Sequence, residues 1–189
     1  EWMLNEGSGT SANDSSGNAG TGTITAGTGK YVNGKINKAY QFDGTDTLIN
    51  AGSGSPLDNL PASGMTAEAW IYPTGAGEGN AGFIMAKNNG NSQNAGWLFL
   101  TLNTGGPTKA LQFVIDGSTD LVKTTSDNVY SYNTWNHVAV TSNSNFSAGS
   151  AHIYVNGKEV SYSGSSGGTS RVSDAASSFY IGNARSEEH

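Results

Sequence analysis

Retaining glycosidases take their acid and nucleophile from two carboxylates; alternate residues of one strand can supply them, because that spacing puts both on one face. This chain has no such run. Glu68 is the single acidic residue inside a strong strand pattern, and its mates on that face are Thr66, Trp70 and Tyr72. A lyase would need His, Tyr and Arg converging with an amide on one groove. His137, His152 and Tyr154 are available, but Arg171 and Arg185 come late in the chain. No nucleophile elbow, phosphate-cradling loop or dinucleotide fingerprint occurs. The residue types therefore point away from catalysis and toward binding.

Two binding chemistries fit the loops. Hard cations take carboxylate, amide and carbonyl oxygens from irregular segments, and Asp14 with Asn18, and Asp43 with Asp46, offer them. Such Asx-Gly clusters also make ordinary turns. A sugar needs an aromatic face for its ring and polar partners at the rim. Trp97 follows a loop carrying Asn88, Asn89, Gln93 and Asn94, and Tyr130 and Tyr132 form a second candidate rim. Against this, Trp97 begins a strand and shares its pattern with Phe99, which favours burial.

The elements that carry these residues are strands. Apolar residues alternate along 66–72, 97–103, 110–115, 135–141 and 151–155, and no stretch of ten or more has a helical period. Shorter strands are expected at 1–4, 22–26, 38–42, 47–50, 83–87, 120–125 and 179–182, with one helical turn near 57–60. Asn156-Gly157 marks a tight hairpin turn. Segments 5–34 and 161–174 are dense in Gly, Ser and Thr and read as loops, apart from 22–26. With 189 residues and no internal repeat, one all-β domain is expected.

Composition narrows the function classes. Only 13% of residues are charged, nine are Lys or Arg, and the net charge is −6. Without a basic cluster, nucleic acid and anionic membranes are not expected partners. The absence of cysteine removes disulfides, thiolate metal sites and thiol nucleophiles. No apolar run reaches bilayer-spanning length, and no signal peptide is visible in the chain.

Several motifs occur in a fixed order: W-M-L-N-E-G-S-G-T at 2–10, D-S-S-G-N at 14–18, K-A-Y-Q-F-D-G-T-D at 38–46, M-T-A-E-A-W-I-Y-P at 65–73, W-N-H-V-A-V-T at 135–141, I-Y-V-N-G-K at 153–158 and S-F-Y-I-G-N at 178–183. Together they resemble concanavalin A-like lectin/glucanase sandwiches of the laminin-G-like, jelly-roll type. The resemblance implies a two-sheet antiparallel β-sandwich with Trp2, Trp70 and Trp135 in its core, and gives the His137-x-Ala139 spacing a fold role. It implies non-catalytic recognition of a carbohydrate or glycoprotein by a secreted, surface or phage-associated protein. The alternatives are a structural or interaction domain of a larger adhesin or fibre and, third, a polysaccharide-active enzyme. Related domains often carry calcium near the Asp14, Asn18, Asp43 and Asp46 segments. The family pattern usually continues after 178–183 into a final acidic strand, so an unpaired sheet edge and a homodimer through it are also expected.

Overall fold

The computed structural model describes residues 1–18, 20–25, 27–88, 95–103 and 108–183. Its strands are β1 (Ser11–Ala12), β2 (Gly22–Ile24), β3 (Lys30–Asn33), β4 (Lys38–Gln41), β5 (Ile49–Asn50), β6 (Met65–Ile71), β7 (Ala81–Asn88), β8 (Gly96–Leu102) and β9 (Ala110–Ile115). They continue as β10 (Gly117–Thr119), β11 (Leu121–Thr125), β12 (Asn136–Ser142), β13 (Ala151–Val155), β14 (Lys158–Glu159), β15 (Tyr162–Ser166), β16 (Thr169–Arg171) and β17 (Ser178–Ile181). A 3-10 turn at Ser55–Leu57 and a four-residue helix, α1 (Leu60–Ser63), stand where the single helical turn was expected.

These strands form a sandwich. One layer is a nine-stranded antiparallel sheet in the order β1-β2-β5-β17-β7-β8-β9-β11-β15, and the other has the order β14-β13-β12-β6. The hairpin β3-β4 and the pair β10-β16 stand as separate two-stranded sheets. Alternation assigns the faces. Along β6, Met65 and Ala67 are buried while Thr66, Glu68 and Trp70 are exposed. Along β12 and β13, Val138, Val140, Ile153 and Val155 point inward. They meet Trp97, Phe99, Leu111, Phe113, Ile115 and Phe179 from the larger sheet in one core. A satellite core of Ala12, Ile24 and Ile49 lies under Tyr31, Tyr40 and Phe42 of the β3-β4 region.

Local chemistry sets the turns. Asn156 and Gly157 take φ of 51° and 78°, the left-handed pair that a two-residue hairpin demands. Their turn aligns Val155 with Lys158 and Tyr154 with Glu159. Gly96 closes the β7-β8 hairpin at φ 118°, where a Cβ would collide with the Lys87 carbonyl.

Three expectations needed correction. Residues 1–4 make only an isolated bridge, Trp2 with Asp14, while Trp2 leans on Phe179 with ring centroids 5.2 Å apart. The N-terminal loop holds β1 and β3 besides the expected short strand. The Gly/Ser-rich segment 161–174 contains β15 and β16, with β15 pairing to β11 through Val122–Ser166 and Thr124–Gly164. Small polar residues suffice there because an edge strand needs backbone partners more than an apolar face.

Candidate functional site

The alternation that buries Met65 and Ala67 and turns Ile71 toward the core sends Thr66, Glu68, Trp70 and Tyr72 to the outer face of the smaller sheet. Register brings the neighbours. Trp70 pairs with His137, Glu68 with Ala139, and Thr66 with Thr141. On the next strand Ala139 pairs with Tyr154, and Thr141 with His152. Trp135 sits one step beyond β12, with its ring 5.5 Å from that of Tyr72 in an edge-on arrangement. The Trp70 and His137 rings meet edge-on at 5.2 Å. The result is a solvent-facing surface bearing Trp70, Tyr72, Trp135 and Tyr154. Trp70 and Tyr72 are each 45% exposed, among the few large apolar side chains left in solvent.

Polar groups frame these rings. His137 Nε2 lies 3.5 Å from Glu68 Oε2. The Lys35 ammonium, at the tip of the β3-β4 hairpin, stands 5.3 Å over the Trp70 ring. Across the sheet, the His152 ring is 2.7 Å from Glu159 Oε1, and the Tyr162 hydroxyl donates to the same oxygen at 2.8 Å while accepting from the Ile153 N–H. His152 and Tyr162 hold the Glu159 carboxyl below its usual range. Beyond Thr66 and Thr141 the surface opens into a recess of about 470 Å³ lined by Ser63, Asn143, Ser150 and His152.

The sequence-predicted sugar residues fare differently. Trp97 is 2% exposed and packed on Phe113 and Phe179, so it presents no ring face to a ligand. Its strand mates Phe99 and Thr101 are buried on the same side, and the core claims them together. Tyr130 is equally buried, and burial pushes its phenol up to about 12. Its hydroxyl faces Asn103, Thr101 and Tyr132 without reaching hydrogen-bond geometry. Tyr132 is half-buried, and its hydroxyl donates to Asn103 Oδ1 at 3.0 Å. Asn88 pairs with Gly96 and Ser178 at the end of β7. Asn89, Gln93 and Asn94 lie outside the described residues. Trp70 and Trp135, expected in the core, lie on the outer face instead.

The acidic loops are turn anchors. Asp43 Oδ1 accepts the N–H groups of Thr45, Asp46 and Thr47, and Oδ2 accepts the Thr28 N–H and the Thr47 hydroxyl. Burial alone would raise the Asp43 carboxyl, but these donors outweigh it and hold it well below the carboxylate range. Asp14 likewise accepts from the Glu1 amino group, the Ser16 N–H and hydroxyl, and the Gly20 N–H. Asn18 turns its amide to the Ser16 hydroxyl. With their oxygens committed to donors, Asp14 and Asp43 as arranged do not fit a calcium ion, which takes six to eight free oxygens, while Asn18 and Asp46 give N–H groups to Ser16 and Asp43. No cluster of three or more His, Asp or Glu suited to a metal occurs among the described residues.

A second recess, about 140 Å³, is lined by Asn59, Asp116, Arg171 and Asp174. Asp174 Oδ1 accepts the Asn59 N–H at 2.6 Å and lies 4.0 Å from the Lys87 ammonium. Lys87 is fully buried and also donates to Asp58 and to the Ser177 carbonyl. Burial pushes the Asp174 carboxyl up. Arg171 donates to the carbonyls of Pro61 and Ser144. The recess thus holds two acids, but it is well below the 300 Å³ or more typical of ligand pockets. It closes around a structural ion cluster.

Searches of curated proteins and of solved structures gave no match. A family model does match, over residues 43–189, most of the chain. On that match and on the two-layered antiparallel architecture, this chain belongs to the concanavalin A-like lectin/glucanases superfamily, in its laminin-G-like form.

Proposed function

We propose that this domain is a non-catalytic carbohydrate-recognition module of a secreted or surface protein, and that the outer face of β14-β13-β12-β6 holds the sugar. One observation carries the reading. Trp70 and Tyr72 are 45% exposed on a face whose other members are Glu68, His137, Thr66, Thr141, His152, Tyr154, Glu159 and Trp135, with Ala139 its single aliphatic residue. A sugar ring offers C–H groups on its faces and hydroxyls at its rim, and aromatic faces beside donors and acceptors match it. The centre of a protein-docking patch is depleted of charged residues, whereas Glu68 stands 65% exposed within this face.

Carboxylate geometry supports a binding role over hydrolysis. Glu68 and Glu159 share one cross-strand row, through Ala139 and Tyr154. Three strand spacings separate them, about 14 Å at 4.8 Å each, whereas glycosidase pairs stand roughly 5–9.5 Å apart. Among the described residues no strand carries two acids on one face. Among the described residues β6 has no strand partner beyond β12, and such an edge favours a second reading, a packing unit within a larger adhesin or fibre.

The test is calorimetric titration of the wild type, Trp70→Ala and Tyr72→Ala with neutral hexasaccharides. Binding by the wild type and a loss of about tenfold or more in each variant, 1.4 kcal/mol, support the reading. Unaltered binding in both variants contradicts it.

A further inference from the structure

We infer that the ligand is an internal stretch of a linear, uncharged polysaccharide laid lengthwise along β12; this deepens the carbohydrate reading and rests on it. The cross-strand register builds a channel. Trp135, His137, Ala139 and Thr141 run along its floor, which is lowest at Ala139, the smallest side chain of the face. Trp70, Glu68 and Thr66 of β6 make one wall, and Tyr154 and His152 of β13 the other. From Tyr72 to Thr66 the chain advances six residues, about 20 Å at 3.4 Å each. That length exceeds one sugar ring and accommodates several in sequence.

The chemistry changes along the channel. Exposed rings dominate at the Tyr72-Trp135 end, and hydroxyls and amides at the Thr66-Thr141 end, where it opens into the 470 Å³ recess of Ser63, Asn143 and Ser150. A single stacked sugar would leave that second half unused. A chain that stacks at one end and hydrogen-bonds at the other uses both.

Charge selects against acidic polymers. Glu68, with its side chain 65% exposed, lies in the wall, and Glu159 completes the same row. Lys35 is the cation placed over Trp70, and the chain carries −6 overall. A uronic-acid polymer threaded here would bring its carboxylates to Glu68, and like charges in contact cost affinity.

The experiment is calorimetry at pH 7 with di-, tetra- and hexasaccharides of the cello-, xylo-, manno- and malto- series, and with hexagalacturonate. The expected result is a gain of about tenfold, 1.4 kcal/mol, from disaccharide to hexasaccharide in the best-bound neutral series. Hexagalacturonate should bind at least about tenfold more weakly. Ala139→Gln raises the channel floor and should shrink the length gain to under about twofold, 0.4 kcal/mol, with an unchanged melting temperature. Equal affinity for disaccharide and hexasaccharide, or tightest binding by hexagalacturonate, overturns the inference while leaving the carbohydrate reading standing. The length series needs no variant, so a poorly folding Ala139→Gln protein does not prevent the decision. Absence of binding at every length overturns the carbohydrate reading and this inference with it.

Discussion

Replacing Asp116 by asparagine should make the protein more stable at neutral pH. Asp116 is 5% exposed, and among the described residues its carboxylate has no hydrogen-bond or ion-pair partner; its backbone N–H donates to the Gly96 carbonyl. Burial, with a smaller push from the charge on Asp120, raises the carboxyl from 3.8 to about 6. Asp120 is held in place by the Gly117 N–H, 3.1 Å from its Oδ1. Because the folded value is the higher one, the stability linked to neutral Asp116 is complete below 3.8 and is lost as pH rises through 6. That gap corresponds to about 3 kcal/mol at pH 8, an upper bound because the adjoining recess admits water. An asparagine stays neutral throughout, and the 140 Å³ recess leaves room for its amide to be hydrated. Urea unfolding of both proteins at pH 4 and pH 8 reads the effect. The two should agree near pH 4, and the variant should lead by about 2–3 kcal/mol at pH 8. A variant less stable at pH 8, or a difference independent of pH, would refute the reasoning by revealing a partner that the aspartate serves.

Lys87→Met leaves Asp174 buried without its cation and should cost about 3–5 kcal/mol, measured by denaturant unfolding; a loss below about 1 kcal/mol would show that the cluster carries little. Calcium or a chelator should leave the melting temperature unchanged, since the Asp14 and Asp43 oxygens are already taken by donors; a calcium-dependent rise in a thermal scan would reverse that reading of both loops. The β6 edge has no strand partner beyond β12 among the described residues, yet antiparallel self-pairing centred on Glu68 would set two carboxylates opposite each other. Light scattering at high concentration should therefore give a monomer for the wild type and a dimer for Glu68→Thr; a wild-type dimer would instead support association through this edge.

The long strands were readable because each buries one face. Met65, Ala67, Val138, Val140, Ile153 and Val155 alternate with polar neighbours, and no other element suits that period. The strands missed in 161–174 lack the signal for a physical reason. Tyr162–Ser166 contributes one half-buried tyrosine and otherwise exposed Ser and Gly, held by pairing to β11 and by serine hydroxyls that donate to the Thr125 and Ala148 carbonyls. The aromatic surface was half legible. Glu68 shares a face with Trp70 and Tyr72, and an unpaired carboxylate does not go into a core, so that face had to be the wet one. The family motif drew attention to the tryptophans as core residues and obscured this. Trp97 could be separated from Trp70 by its mates: Phe99 on one strand, Glu68 on the other. The Lys87-Asp58-Asp174 cluster joins residues up to 116 positions apart, and nothing local in the sequence announces such a contact.

Recognition on the outer face requires that Trp70 and Trp135, of the four tryptophans, meet the ligand. Two-dimensional 15N NMR resolves one indole N–H signal for each of Trp2, Trp70, Trp97 and Trp135 during titration with the best-bound neutral hexasaccharide. The prediction is that Trp70 and Trp135 shift while Trp97, sealed in the core, and Trp2, whose indole N–H donates to the Gly20 carbonyl at 2.7 Å, stay fixed. Saturable binding that moves neither Trp70 nor Trp135 would contradict it and place recognition elsewhere on the sandwich.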